Sequence, residues 1–262
     1  MNADISLLDL RLRRRLLIGY TLGMALYALV IVFLYPEFKN TTSLNQLTKH
    51  GSTAAALFGI TGSLTSPSGW LGANLYDNFL PLVMLLITVG YGASCLAGQD
   101  EEGTLCIVAT LPIARRGILF EKVAALTVQA VVLAFVIMLC AIVGRGFDLA
   151  LPISHLAGIS LGIALLGIDF GLLASLVGSW TGSRGVALGV TSAIAAASYL
   201  LSSLAPVVAW IRPARYASLF YWSVGNSQLA AGLTLASAGV LALAGVALIG
   251  ASVWAFNRLD LH

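Results

Sequence analysis

Residues 16–35, LLIGYTLGMALYALVIVFLY, run for twenty positions without a charged side chain. A helix needs about 20 predominantly apolar residues to cross the hydrocarbon core of a bilayer, so this stretch reads as a membrane span. It is too long for the apolar core of a secretory signal and lacks a small-residue cleavage site, which predicts an anchor that stays in place. Upstream, residues 1–15 set Ile5, Leu8 and Leu12 at helical spacing beside Arg11, Arg13, Arg14 and Arg15. That is the pattern of an amphipathic helix lying in the membrane interface with its basic residues toward the headgroups. Ser6 and Asp9 fit a capping box in which Asp takes the usual Glu or Gln place.

Downstream, five further apolar runs cover residues 79–97, 118–143, 156–180, 186–205 and 229–256. A polar stretch, 36–78, follows the first run; within it 54–60 is too short to span and reads as a surface or re-entrant helix. Composition agrees: of 262 residues 59% are hydrophobic and 10% charged, with a mean hydropathy of +0.94. A soluble domain carries about 25% charged residues and exposes too much of its surface to hide so apolar a chain. A membrane β-barrel would alternate apolar and polar residues, and no stretch does. The expectation is an all-α integral membrane protein, one domain of six transmembrane helices over residues 1–262. Positive-inside counting places nine basic residues, Arg11, Arg13, Arg14, Arg15, Arg115, Arg116, Lys122, Arg184 and Arg258, on the side of both termini. Five, Lys39, Lys49, Arg145, Arg212 and Arg215, fall on the other, so both termini are expected in the cytoplasm.

Several chemistries are disfavoured. Cys95, Cys106 and Cys140 are odd in number and lack CxxC spacing, and His50, His155 and His262 are scattered, so neither a disulfide framework nor a metal site is indicated. A net charge of +3 is too weak and dispersed for nucleic-acid binding. Gly158-Ile159-Ser160-Leu161-Gly162 matches GxSxG, but a nucleophile elbow needs a strand-to-helix turn and this segment falls inside an apolar helix. No lysine follows a glycine, so the chain has no P-loop to hold nucleotide. Six spans without an internal repeat leave no second half, and transport pathways are commonly built between two related halves, so a transporter reading calls for a homodimer.

The connector between the second and third runs carries the most information. Asp100, Glu101 and Glu102 precede about ten apolar residues, too few to cross a bilayer. Acidic residues favour a helix start, and Pro112 ends or kinks the helix they open. The expected product is a short helix over 100–116 whose apolar face, Leu105, Ile107, Val108 and Leu111, needs a docking partner or else serves as an ordinary juxtamembrane loop. The whole run QDEEGTLCIVATLPIARRGILFEKVAA resembles the cytoplasmic loop of type-2 ATP-binding-cassette exporter permeases. Their pattern is an acidic pair, Gly-Thr-Leu, an apolar stretch, a Pro, a basic residue and a Lys opening the next span. Glu101, Glu102, Gly103, Thr104, Leu105, Pro112, Arg115 and Lys122 stand in those places, with Arg116 beside Arg115. Cys106 departs from the pattern, where family members often carry Glu.

The resemblance implies that 100–116 is a coupling helix seated in a groove of a separate ATPase, present in two copies and binding the ATP and Mg. It further implies that residues 1–15 are an elbow helix, that the permease pairs with itself, and that it resides in a bacterial inner membrane. Looser likenesses are ALFGITGSLTSPSGW before the second span, similar to drug and polyketide exporters, RPARYASLFYW, similar to an outer re-entrant segment, and the closing FNRLDL. The function so implied is export of an amphiphilic drug, lipid-like compound or natural product; polysaccharide export is a variant.

Within the spans, Asp169 stands near the middle of the fourth run. A mid-membrane carboxyl is costly and must face protein or a wet cavity, so it reads either as a cation-binding or gating group in a translocation path or as a protonated or paired group holding a neighbouring helix. A proton-driven secondary transporter built on Asp169 is the rival from another class, and a non-transporting sensor or scaffold that borrows the ATPase is a second. Tyr216, Phe220, Tyr221 and Trp222, with Trp210, Arg212 and Arg215, form an aromatic segment on the outer side: an interface belt or an exit gate on the path. Glycine pairs four apart, Gly19/Gly23, Gly158/Gly162, Gly167/Gly171, Gly178/Gly182 and Gly185/Gly189, predict close helix packing.

Overall fold

The computed structural model describes residues 4–39, 66–101, 103, 115–206, 208–225 and 228–257. Among them the chain is helix and turn, with no strand. Six helical stretches are long and apolar enough to cross a membrane: 6–38, 67–98, 116–147, 153–181, 184–204 and 235–255. This is a multi-pass helical membrane protein. The connector from 104 to 114 and the short apolar piece 54–60 lie outside the described residues.

The first helix, α1 (Asp4–Phe38), runs without a break. The expected interfacial helix over residues 1–15 is therefore not a separate element in its described part. No Gly or Pro falls between Asp4 and Leu16 to punctuate it, so helix propagation continues through the arginines. The capping box does not form either. Asp9 lies inside α1, and its carboxylate turns to two other spans: its Oδ2 accepts from Tyr91 and Lys122.

The second span begins earlier than its apolar run. Ser66 caps α2 (Pro67–Leu71) by accepting the Gly69 N–H at 3.1 Å, and Pro67 takes the first helical position, where its missing donor is harmless. A π-helical turn, Gly72–Tyr76, leads to α3 (Phe79–Ala93), and a second π turn, Ser94–Gly98, closes the span before one last turn, Gln99–Glu101. The third, fourth and fifth spans are α4 (Arg115–Val143), α5 (Ile153–Thr181) and α6 (Arg184–Leu204). After a 3-10 stretch, Ala209–Ala217, come α7 (Leu219–Ser223) and α8 (Gln228–Ala231). The last span, α9 (Leu235–Asn257), starts later than expected. Gly232 interrupts the predicted helix at φ +86°, and a Cβ there would sit 3.2 Å from the His155 ring. Only glycine suits both demands.

The fourth span is central, packing against α3, α4, α6 and α9. In its most apolar window 67% of residues are buried, against 22% for α1, α6 and α9. Glycines make that packing close. A Cβ on Gly92 would overlap the Gly171 carbonyl, one on Gly162 would lie 2.9 Å from the Ser223 carbonyl oxygen, and one on Gly158 2.9 Å from Leu233 Cβ. The expected close approach therefore holds along α5. It does not hold at Gly19, Gly23, Gly182 and Gly189, where a Cβ would meet nothing within 4 Å, nor at Gly185, which would meet only the Ser183 hydroxyl at 3.9 Å.

Candidate functional site

A buried polar network ties three spans together at the connector end. Asp9 Oδ2 accepts from the Tyr91 hydroxyl at 2.7 Å and from Lys122 Nζ at 3.2 Å. Lys122 also donates to Gln99 Oε1 at 2.9 Å. Arg13 donates to the Ser94 hydroxyl and lies 5.1 Å from the centre of the Tyr91 ring. The backbone N–H of Ser6 donates to Glu121 Oε2 at 3.3 Å. Lys122 is 2% exposed and Asp9 7%. A charge so deeply buried requires a partner, and each answers the other. Ser94 belongs to the π turn and Gln99 to the turn after it, so the start of the connector is part of this network.

The connector residues that resemble a coupling helix divide between described and undescribed positions. Glu102, Thr104, Leu105 and Pro112 lie outside the described residues. Gly103 has φ +68°, a backbone that favours glycine. Arg115 opens α4 and Arg116 is exposed. Glu101 has a defined contact: its Oε1 accepts the backbone N–H of Arg184 at 2.9 Å. The N-cap residue of α6, Ser183, makes no side-chain cap of its own. The Glu101 carboxylate therefore satisfies one of the free amides at the start of α6 and sits at the positive end of its macrodipole.

At the opposite end, Lys39 and Asp148 form an ion pair at 2.6 Å that joins the end of α1 to the loop after α4. The bond to Asp148 raises the Lys39 pKa above its ordinary 10.5. Asp148 has φ +64°.

Deep in the bundle, Asp169 is 1% exposed and its Oδ2 finds no hydrogen-bond partner among the described residues. On its other side stands Gly245 of α9, where a Cβ would lie 2.9 Å from Oδ1. The aromatic segment forms a cluster of its own. Tyr216, Tyr221 and Trp222 form a mutual cluster with ring centres 5.3 to 6.0 Å apart. The Arg215 guanidinium lies 4.9 Å from the Tyr216 ring and 5.0 Å from the Tyr221 ring. Two backbone carbonyls brace this cluster, Tyr216 accepting from Trp222 Nε1 at 2.8 Å and Trp222 from Gln228 Nε2 at 2.6 Å. Phe220 points elsewhere: it is buried against Phe170 and Tyr199.

The network around Lys122 is hidden in the linear sequence because its bond to Asp9 spans 113 positions. Its one signal there is a Glu-Lys pair, Glu121-Lys122, inside an apolar run. Ser160, in the GxSxG match, is interior to α5, so no strand-to-helix elbow surrounds it. The chain matches no protein-family model and no curated protein.

Proposed function

We propose that this chain is the membrane permease of an ATP-driven exporter of the type-2 ATP-binding-cassette kind, moving an amphiphilic substrate across the bacterial inner membrane. The observation that carries the proposal is the Glu101–Arg184 contact, which attaches a connector resembling a coupling helix to the start of α6. Gln99, two residues earlier, is held by Lys122, and Lys122 by Asp9. A displacement of the connector by a docked ATPase would thus be felt at once by α1, α4 and α6. Two permease copies and two ATPase copies would form the working unit, with ATP and Mg held by the ATPase. Rocking of the paired permeases would alternate access, a bistable arrangement biased from the connector.

The test is capture of the tagged chain in mild detergent, followed by an ATPase assay with and without Glu101→Ala/Glu102→Ala. A co-purifying nucleotide-binding subunit whose hydrolysis weakens in the variant supports the proposal. Capture without any such subunit overturns it. The unpartnered oxygen of Asp169 favours a second reading, proton-driven transport. Under that reading transport persists without an ATPase, collapses with the proton gradient and is lost in Asp169→Asn.

A further inference from the structure

An apolar groove of about 520 Å³ runs along α1 beside α3, lined by Leu16, Gly19, Tyr20, Gly23 and Met24 of α1 and Val83 of α3. Gly19 and Gly23 form its floor, since a Cβ on either would meet nothing within 4 Å. From Leu16 to Met24 it follows the helix for about 12 Å at 1.5 Å per residue, the reach of much of one acyl chain. Arg15 stands one turn below Gly19, and Arg11 one turn below Arg15, on neighbouring positions of the same helix side. Arg11, Arg14 and Arg15 are exposed and form no ion pair among the described residues. Asp9, the one acid between residues 5 and 24, is already taken by Lys122 and Tyr91.

We infer that this groove binds an anionic phospholipid of the leaflet at the connector end. One acyl chain lies over Gly19 and Gly23, and the phosphate accepts hydrogen bonds from Arg15 and Arg11. The arginines select the anion, because a phosphodiester beside the groove supplies an anionic acceptor that α1 does not carry between Arg11 and Met24. They also argue against a second copy of the chain as occupant. Two copies with the same membrane orientation meeting through this groove would bring their Arg11 and Arg15 together, like charge against like. The site stands apart from the exporter proposal and needs no ATPase.

The test is native mass spectrometry of the detergent-purified full chain, titrated with palmitoyl-oleoyl phosphatidylglycerol or phosphatidylcholine. The expected result is retention of phosphatidylglycerol with a preference of about thirtyfold, two arginines' worth of surface attraction. Arg11→Gln/Arg15→Gln should remove that preference. Gly19→Leu/Gly23→Leu should remove the retained lipid without lowering the thermal melt, because the space before both glycines is open and leucine is the better helix former. A preference that survives either double variant overturns the inference, as does the absence of any preference. If the glycine variant instead turns a dimer into a monomer with lipid unchanged, the groove belongs to a second copy and the inference fails.

Discussion

Gly245 of α9 lies directly against the carboxyl group of Asp169 on α5, so close that a Cβ at position 245 would stand 2.9 Å from Oδ1. Glycine in a helix interior costs about 0.5–1 kcal/mol relative to alanine, but a methyl at 245 has to displace the Asp169 carboxylate oxygen, the one atom within 4 Å of it. Gly245→Ala should therefore gain less than that amount, or lose stability, while Asp169 is present. In an Asp169→Ala background the same change should be neutral or stabilising, with a coupling of about 0.5–3 kcal/mol. Thermal unfolding of the four proteins in detergent measures the cycle; additive effects would mean that the two residues do not touch.

Lys122 and Asp9 are both buried, so removing one leaves the other without its counter-charge, held only by Gln99 or by Tyr91. Lys122→Met should cost about 3–5 kcal/mol. Adding Asp9→Asn removes the stranded charge while keeping an acceptor for Tyr91, and should recover a large part of that loss. The measurement is again the unfolding midpoint of single and double variants, and a double variant no better than Lys122→Met would show that the pair is not the source of stability.

The Glu101 cap acts locally. Its bond to the Arg184 amide is exposed, which keeps its contribution to about 0.3–1 kcal/mol. Glu101→Ala should leave global unfolding nearly unchanged and speed hydrogen exchange at residues 184–187 by about two- to fivefold. Glu101→Gln, which keeps the acceptor and loses the charge, should fall between. Unchanged exchange in the alanine variant would detach the connector from α6.

The clasp of Lys39 and Asp148 tests backbone against charge. Holding a left-handed backbone costs an ordinary L-residue about 1–2 kcal/mol, whereas the exposed ion pair contributes little. Asp148→Gly should thus be tolerated and Asp148→Val should not, as read from unfolding midpoints. The pH dependence has a definite sign. The Lys39 pKa is raised above its ordinary 10.5, so its contribution is complete below that value and fades as pH rises through the higher folded one. The difference between Lys39→Met and wild type should be flat from pH 7 to about 9 and shrink only in stronger alkali. A difference that instead grows with alkali would assign the effect of Lys39→Met to something other than its ammonium.

Much of the architecture was legible in one dimension. Six apolar runs each read as a span because the bilayer core asks for length and hydropathy, and both are properties of consecutive residues. Position within the bundle was not local at all. The most apolar windows of α5 and α9 have the same mean hydropathy, 2.0, yet 67% of one and 22% of the other is buried. In a bilayer, lipid and protein interior reward the same side chains, so hydropathy cannot tell a central helix from a peripheral one. For the same reason Phe220 read alike with Tyr216, Tyr221 and Trp222, and only the packing against Phe170 and Tyr199 separated it. The sequence by itself therefore determined how many helices are long and apolar enough to cross and where the charged ends fall. Tertiary structure alone decided that Asp9 answers Lys122, that Glu101 caps α6, that Gly245 makes room for Asp169 and that Gly19 and Gly23 open a groove, because each of these depends on residues distant in the chain meeting across a helix boundary.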